Sequence, residues 1–157
     1  MSSAPQLARI RRMTVADVDR VIEIASSLKD APEWPRAAYL AALEGDGAPR
    51  RIALVGEDAG SGAVAGFAVA SLLAHDAELE SIAVAAEVQR RGLARRLLAV
   101  LVDELRAAEV AEVNLEARAS NQPALALYLQ LGFVESGRRT RYYQFPVDDA
   151  ILMRLRL

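Results

Sequence analysis

Four arginines, Arg90, Arg91, Arg95 and Arg96, fall within seven residues of an otherwise slightly acidic chain. Between them stands Gly92-Leu93-Ala94, at the head of a strongly periodic helical segment. The first N–H groups of a helix lack intrahelical partners and carry the positive end of its dipole, so this segment is a candidate cradle for a diphosphate. Gly92 and Ala94 lack the bulk that would keep phosphate oxygens from the main chain, and the guanidinium groups add local positive charge. Charge alone is equally consistent with a solvated helix start. Further along, Glu116 stands on the polar side of an alternating segment and can accept a proton. Tyr128, on the helix expected to follow, carries a hydroxyl that can donate one. By spacing alone these two are a surface carboxylate and a core aromatic among Leu125, Leu129 and Leu131. Asp76, Glu78 and Glu80 form either a rim for a cationic amine or a solvated strand face.

Composition removes several other chemistries. There is no cysteine, which excludes disulfides, zinc-thiolate sites and thiol-enzyme intermediates. The single histidine, His75, has no evident partner and reads as a loop residue, so neither a histidine metal site nor a histidine-centred triad is expected. No metal is expected. A formal charge of −2 offers no general attraction for nucleic acid. No run is long enough to span a bilayer, and Met1 to Ile10 lacks the apolar centre of a signal peptide. A cytoplasmic location is the expectation.

The elements that must position these residues follow from periodicity. Leu7 to Arg12 reads as a strand. Thr14, with Asp17 three residues on, caps a helix carrying Val18, Val21, Ile22, Ala25 and Leu28. A second helix opens at Pro35, carries Ala38, Tyr39, Ala42 and Leu43, and stops at Gly45, Asp46 and Gly47. Arg51 to Glu57 and Ala63 to Leu73 read as a hairpin around Asp58 to Gly62. Glu78 to Val84 is a further strand. Arg91 to Ala108 sets Leu93, Leu97, Leu98, Leu101, Val102 and Leu105 on one helical face. Val113 to Arg118 alternates apolar and polar, which turns Glu116 away from the apolar side. Ser120 or Asn121 caps a helix from Pro123 that ends at Gly132. Phe133 to Tyr143 and Ala150 to Leu157 complete an α+β sandwich, a mixed sheet with helices on its faces, in one domain over residues 1–157.

Gln89-Arg90-Arg91-Gly92-Leu93-Ala94, after a strand and before a helix, resembles the Q/R-x-x-G-x-G/A signature of the GNAT acetyltransferases. Downstream, Leu115-Glu116-Ala117-Arg118-Ala119-Ser120-Asn121, Ala126-Leu127-Tyr128 and Leu131-Gly132-Phe133 resemble the RimI-like branch, protein N-terminal acetyltransferases that include ribosomal-protein-alanine enzymes. Arg141-Tyr142-Tyr143 and Asp149-Ala150-Ile151-Leu152-Met153 extend the likeness, which covers roughly residues 78 to 157. It implies a mostly antiparallel sheet of six to seven strands with about four helices. It also implies acetyl-CoA as co-substrate, held by Ile82, Ala83, Val84, Gln89, Arg90, Arg91, Gly92, Leu93, Ala94, Arg95, Asn121 and Tyr128. Glu116 matches the family's base and Tyr128 its acid, for direct acetyl transfer to an amine. In the N-terminal half, Trp34-Pro35 reverses the Pro-Trp order common in such proteins, so the acceptor pocket does not carry over.

Neutralising an α-amine at pH 7 costs about 1 kcal/mol, against about 4.6 for a lysine. That favours a protein N-terminus, possibly of a ribosomal protein, over a lysine or a small-molecule amine. A non-catalytic acyl-CoA sensor is the reading from a different class. Neither nucleic acid nor membrane is an expected partner.

Overall fold

The computed structural model describes residues 8–45 and 49–157. Leu7, the first residue of the expected first strand, and the helix-stopping Asp46 and Gly47 lie outside them. In order, the elements are β1 (Arg9–Arg12), α1 (Val18–Ser26), α2 (Arg36–Leu43), β2 (Arg50–Glu57), β3 (Val64–Leu73) and β4 (Asp76–Val84), then α3 (Leu93–Ala107), β5 (Glu112–Arg118), α4 (Gln122–Gln130), β6 (Val134–Tyr143) and β7 (Asp148–Arg156). One seven-stranded sheet runs β1-β2-β3-β4-β5-β7-β6. Every neighbouring pair is antiparallel except β4 and β5. This is the α+β sandwich that the element order implies.

Entry into α1 is fixed by Asp17. Its carboxylate accepts from the Thr14 N–H at 2.8 Å and the Thr14 hydroxyl at 3.0 Å, and both Arg11 terminal nitrogens donate to it at 2.8 and 2.9 Å. The Arg11 guanidinium holds the Asp17 carboxyl down at about 2. The first turn, Val15–Asp17, is a 3₁₀ turn rather than the start of a continuous α-helix. Helical ends commonly tighten in this way. The capping residue of α4 is Asn121, whose side-chain oxygen accepts from the Ala124 N–H at 3.4 Å.

Residues Val64–Ala70 of β3 are buried on both faces, apart from Gly66 which has no side chain to bury. Helices α1 and α3 both contact this strand and cover opposite faces. α3 drives Leu97, Leu98, Leu101 and Leu105 into the core, each at most 1% exposed, and truncating any one to Ala would cost about 2–5 kcal/mol. Gly56 and Gly66 are cross-strand partners that admit Leu93: a Cβ on Gly56 would lie 2.6 Å from the Leu93 side chain, and one on Gly66 3.1 Å from the Ala83 carbonyl oxygen and 3.2 Å from Leu93. The start of α3 is thereby seated on the sheet.

β4 begins at Asp76, two residues before the expected Glu78, because the Ala74-His75 turn pairs Leu73 directly with Asp76. His75 is exposed in this turn, and its carbonyl accepts from the Ala111 N–H at 2.7 Å. Glu80 is an extra residue in β4, since Val69 pairs with Ser81 while Ala70 pairs with Leu79. β4 and β5 share only three paired positions, Asp76 with Glu112, Ala77 with Val113 and Glu78 with Asn114. Beyond Glu78 the two strands diverge.

Candidate active site

The end of β4 leads through a 3₁₀ turn, Ala86–Val88, to Gln89, whose side-chain amide donates to the Val84 carbonyl at 3.1 Å. Arg90 and Gly92 then take left-handed conformations, with φ of 66° and 82°. None of the backbone N–H groups from Arg90 to Arg95 has an acceptor among the described residues. They form a continuous run of donors at the positive end of α3, the geometry that binds phosphate oxygens. A Cβ at Gly92 would meet no protein atom within 4 Å, so the glycine is needed for its backbone conformation. The four arginines separate here. Arg90 and Arg95 line the adjoining cleft, and Arg95 donates to the Gln130 side chain. Arg96 turns back to the Ala8 carbonyl. Arg91, expected at the cofactor, does not line the cleft. It lies near Asp58, whose carboxyl is held low first by the Ser61 hydroxyl and more weakly by Arg91.

The cleft occupies the divergence of β4 and β5, with a volume of about 1000 Å³. Along its wall the β5-side edge of β4 is free of a strand partner from Leu79 to Val84, so its main-chain groups there can pair with an extended ligand. Ile82, Ala83, Val84, Gln89, Arg90, Gly92, Leu93, Ala94, Arg95, Glu116, Asn121 and Tyr128 all line this space. Of the residues expected to hold the cofactor, Arg91 is the one that does not line the cleft, although its backbone N–H belongs to the donor run.

Glu116 emerges from β5 on the face opposite Leu115 and Ala117, as alternation requires, and its carboxylate meets the Arg139 Nε at 3.6 Å. Tyr128 is 6% exposed, with its ring centroid 5.8 Å from that of Phe133, yet it reaches the cleft wall and its hydroxyl has no hydrogen-bond partner among the described residues. Burial, with a smaller contribution from Tyr143, pushes this hydroxyl up to about 12. Tyr143 is itself raised, first by burial and then by the charge of Glu116. Its ring lies 4.4 Å beneath the Arg118 guanidinium, which also donates to the Pro146 and Gln144 carbonyls at 3.1 and 3.3 Å. A carboxylate able to take a proton and a phenol able to give one thus border the same space. Burial and then the charges of Glu80 and Glu116 raise the carboxyl of Glu78. Among the described residues no group of three or more His, Cys, Asp or Glu side chains could hold a metal ion.

Residues 18–133 match the model of the acetyltransferase (GNAT) family, and the chain belongs to that family. It is 36% identical to the N-alpha-acetyltransferase RimI of Mycobacterium tuberculosis over 160 aligned positions, covering 98% of this chain and 96% of that one. To the [ribosomal protein bS18]-alanine N-acetyltransferase of Escherichia coli K12 it is 45% identical over 97 residues, spanning 60% of this chain and 66%, just under two thirds, of that enzyme. A crystal structure of the E. coli ribosomal-protein-S18-alanine N-acetyltransferase superposes with a TM-score of 0.82 at 33% identity, over 96% of this chain and 94% of the other. The structure of yncA from Salmonella typhimurium with its cofactor acetyl-CoA gives 0.82 at 25% identity, over 96% and 94%.

Several cleft residues escaped the sequence reading. The α1–α2 loop, Leu28 to Pro32, forms one wall, and Ser81, Arg118 and Tyr143 form others. Tyr143 had a visible cue, an aromatic closing an arginine-rich strand. Ser81 had none, because it faces the cleft only through the irregularity at Glu80.

Proposed function

We propose that this chain is an acetyl-CoA-dependent N-acetyltransferase that acts as a single domain in the cytoplasm on the α-amine of a protein N-terminus, a ribosomal protein among the candidates. The observation that carries this is the unbroken run of free N–H donors from Arg90 to Arg95, which opens onto a cleft bordered by Glu116 and Tyr128. The fit to the donor is chemical. A diphosphate suits the N–H run, an extended amide-bearing arm suits the unpaired edge of β4, and the cleft leads from both to the proton-transfer pair. The main-chain N–H groups of Arg90, Arg91, Gly92, Leu93, Ala94 and Arg95 would hold the diphosphate. Ile82, Ala83 and Val84 would hold the arm, with Gln89 bracing the loop and Asn121 at the cap of α4.

Bound acetyl-CoA supplies an activated acetyl thioester. Glu116 takes a proton from the acceptor amine as the new C–N bond forms, and Tyr128 gives a proton to the sulfur as the C–S bond breaks. Tyr128 retains the proton it must donate across the physiological range, as an ordinary phenol does, and burial raises its hydroxyl further. Arg139 steadies the Glu116 carboxylate at the cleft edge. The carboxylates of Glu78, Glu80 and Glu116 give the acceptor end negative charge suited to a cationic amine. The test is a panel of N-terminal peptides, including ones starting with Ala and with other small residues, set against lysine-only peptides and metabolite amines. Product on α-amines at well above the rate on the other classes supports the proposal. Coenzyme A binding without turnover on any amine would overturn it.

A further inference from the structure

β4 would turn Ser81 toward α3 if it were a regular strand, because side chains alternate and Leu79 faces that side with its partner Ala70. The extra residue at Glu80 resets the alternation. Ser81 pairs with Val69 and Ala83 with Phe67, which returns both to the face that carries Glu78 and its partner Asn114, and hence Glu116. Glu80 itself is satisfied, accepting from the Arg51 Nε at 2.8 Å. Ser81 is not. It is 3% exposed, it lines the cleft, and its hydroxyl has no hydrogen-bond partner among the described residues. An unpaired buried hydroxyl is costly, so a bulge that turns one into a ligand cleft calls for a partner that arrives with the ligand.

We propose that Ser81 is an acceptor-binding residue whose hydroxyl accepts a hydrogen bond from the incoming amine and fixes its nitrogen beside the Glu116 carboxylate. This rests on the acetyltransferase reading and adds a specificity-determining contact to it. The carboxylates at the cleft, Glu80 paired with Arg51 and Glu116 with Arg139, give a cation no direction. A single hydroxyl held by the sheet gives the amine an orientation.

The experiment compares Ser81→Ala and Ser81→Cys with the parent enzyme. The readouts are steady-state kinetics on an Ala-starting peptide, calorimetric binding of that peptide to the enzyme–coenzyme A complex, and Tm. Both variants are expected to raise the peptide KM and weaken its binding about tenfold, the scale of one lost hydrogen bond. Acetyl-CoA affinity should stay within about twofold, and Tm should be unchanged or higher because the hydroxyl has no partner inside the fold. Alanine nearly keeps the volume and cysteine enlarges it with only a weak acceptor, so a loss shared by both assigns the effect to hydrogen bonding. Tyr39→Phe removes an unpartnered buried hydroxyl that does not line the cleft, and is expected to leave the peptide KM unchanged. Peptide binding within twofold of the parent in Ser81→Ala overturns the proposal. So does a lowered Tm with a parallel loss of acetyl-CoA affinity, or a matching KM effect in Tyr39→Phe, since each would make the hydroxyl part of the fold's own bonding. A parent enzyme inactive on every amine would sink the acetyltransferase reading, while calorimetry would still report on Ser81.

Discussion

In the proposed reaction Tyr128 and Glu116 divide the proton traffic, and each can be removed with little change of shape. Tyr128→Phe keeps the ring packed on Phe133 and deletes only the hydroxyl. It should lower kcat by about 10²- to 10⁴-fold, with acetyl-CoA affinity, measured by calorimetry, within about threefold. Glu116→Gln should lower kcat by a comparable factor, and raising the pH, which supplies neutral amine, should recover part of it. The raised hydroxyl of Tyr128 also has a stability consequence. In the unfolded chain it releases its proton near 10, and in the folded protein only near 12. Its contribution is therefore whole below about pH 10 and is lost as the pH climbs toward 12. Tm measured between pH 9 and 11.5 should fall more steeply in the parent than in Tyr128→Phe. That Tyr128 and Glu116 border one cleft was legible in the sequence, through alternation in β5 and the spaced motifs around α4. Proximity in sequence to a phosphate loop does not say which way a side chain leaves a left-handed turn: that of Arg91 lies near Asp58, while its N–H stays in the donor run.

At the scale of elements, the donor cradle depends on how α3 is seated. Leu93 lies over Gly56 and Gly66, so bulk added there acts on the helix start from beneath. Gly66→Ala should be the more damaging change, because its Cβ meets the Ala83 carbonyl, which cannot rotate away, whereas Gly56→Ala meets a flexible leucine. A loss of about 1–3 kcal/mol in Gly66→Ala, read by denaturant unfolding, should come with weaker acetyl-CoA binding. Arg90→Gly should separate backbone from side chain. It relieves a positive φ at a non-glycine residue and keeps the N–H, so affinity near that of the parent would assign phosphate binding to the main chain. Strong periodicity made α3 and the β2–β3 hairpin readable in advance. The divergence of β4 from β5 and the bulge at Glu80 were not readable, because both arise from strand register, and a local pattern carries no record of its partner.

For the whole molecule, the cleft runs between two groups of strands, and both substrates must occupy it together for direct transfer. With no cysteine in the chain, initial-rate patterns should intersect, and mass spectrometry of enzyme incubated with acetyl-CoA alone should show no acetylated protein. Among the described residues no helix is long and apolar enough to cross a membrane. Among the described residues, the three paired positions between β4 and β5 are the only rungs joining β1–β4 to β5–β7–β6 within the sheet. The sheet is thus a clasp fastened at one end. A ligand lying across its open end acts as a second fastener. Hydrogen exchange at Ala77, Val113 and Asn114 should therefore slow when coenzyme A binds, although none of these residues lines the cleft.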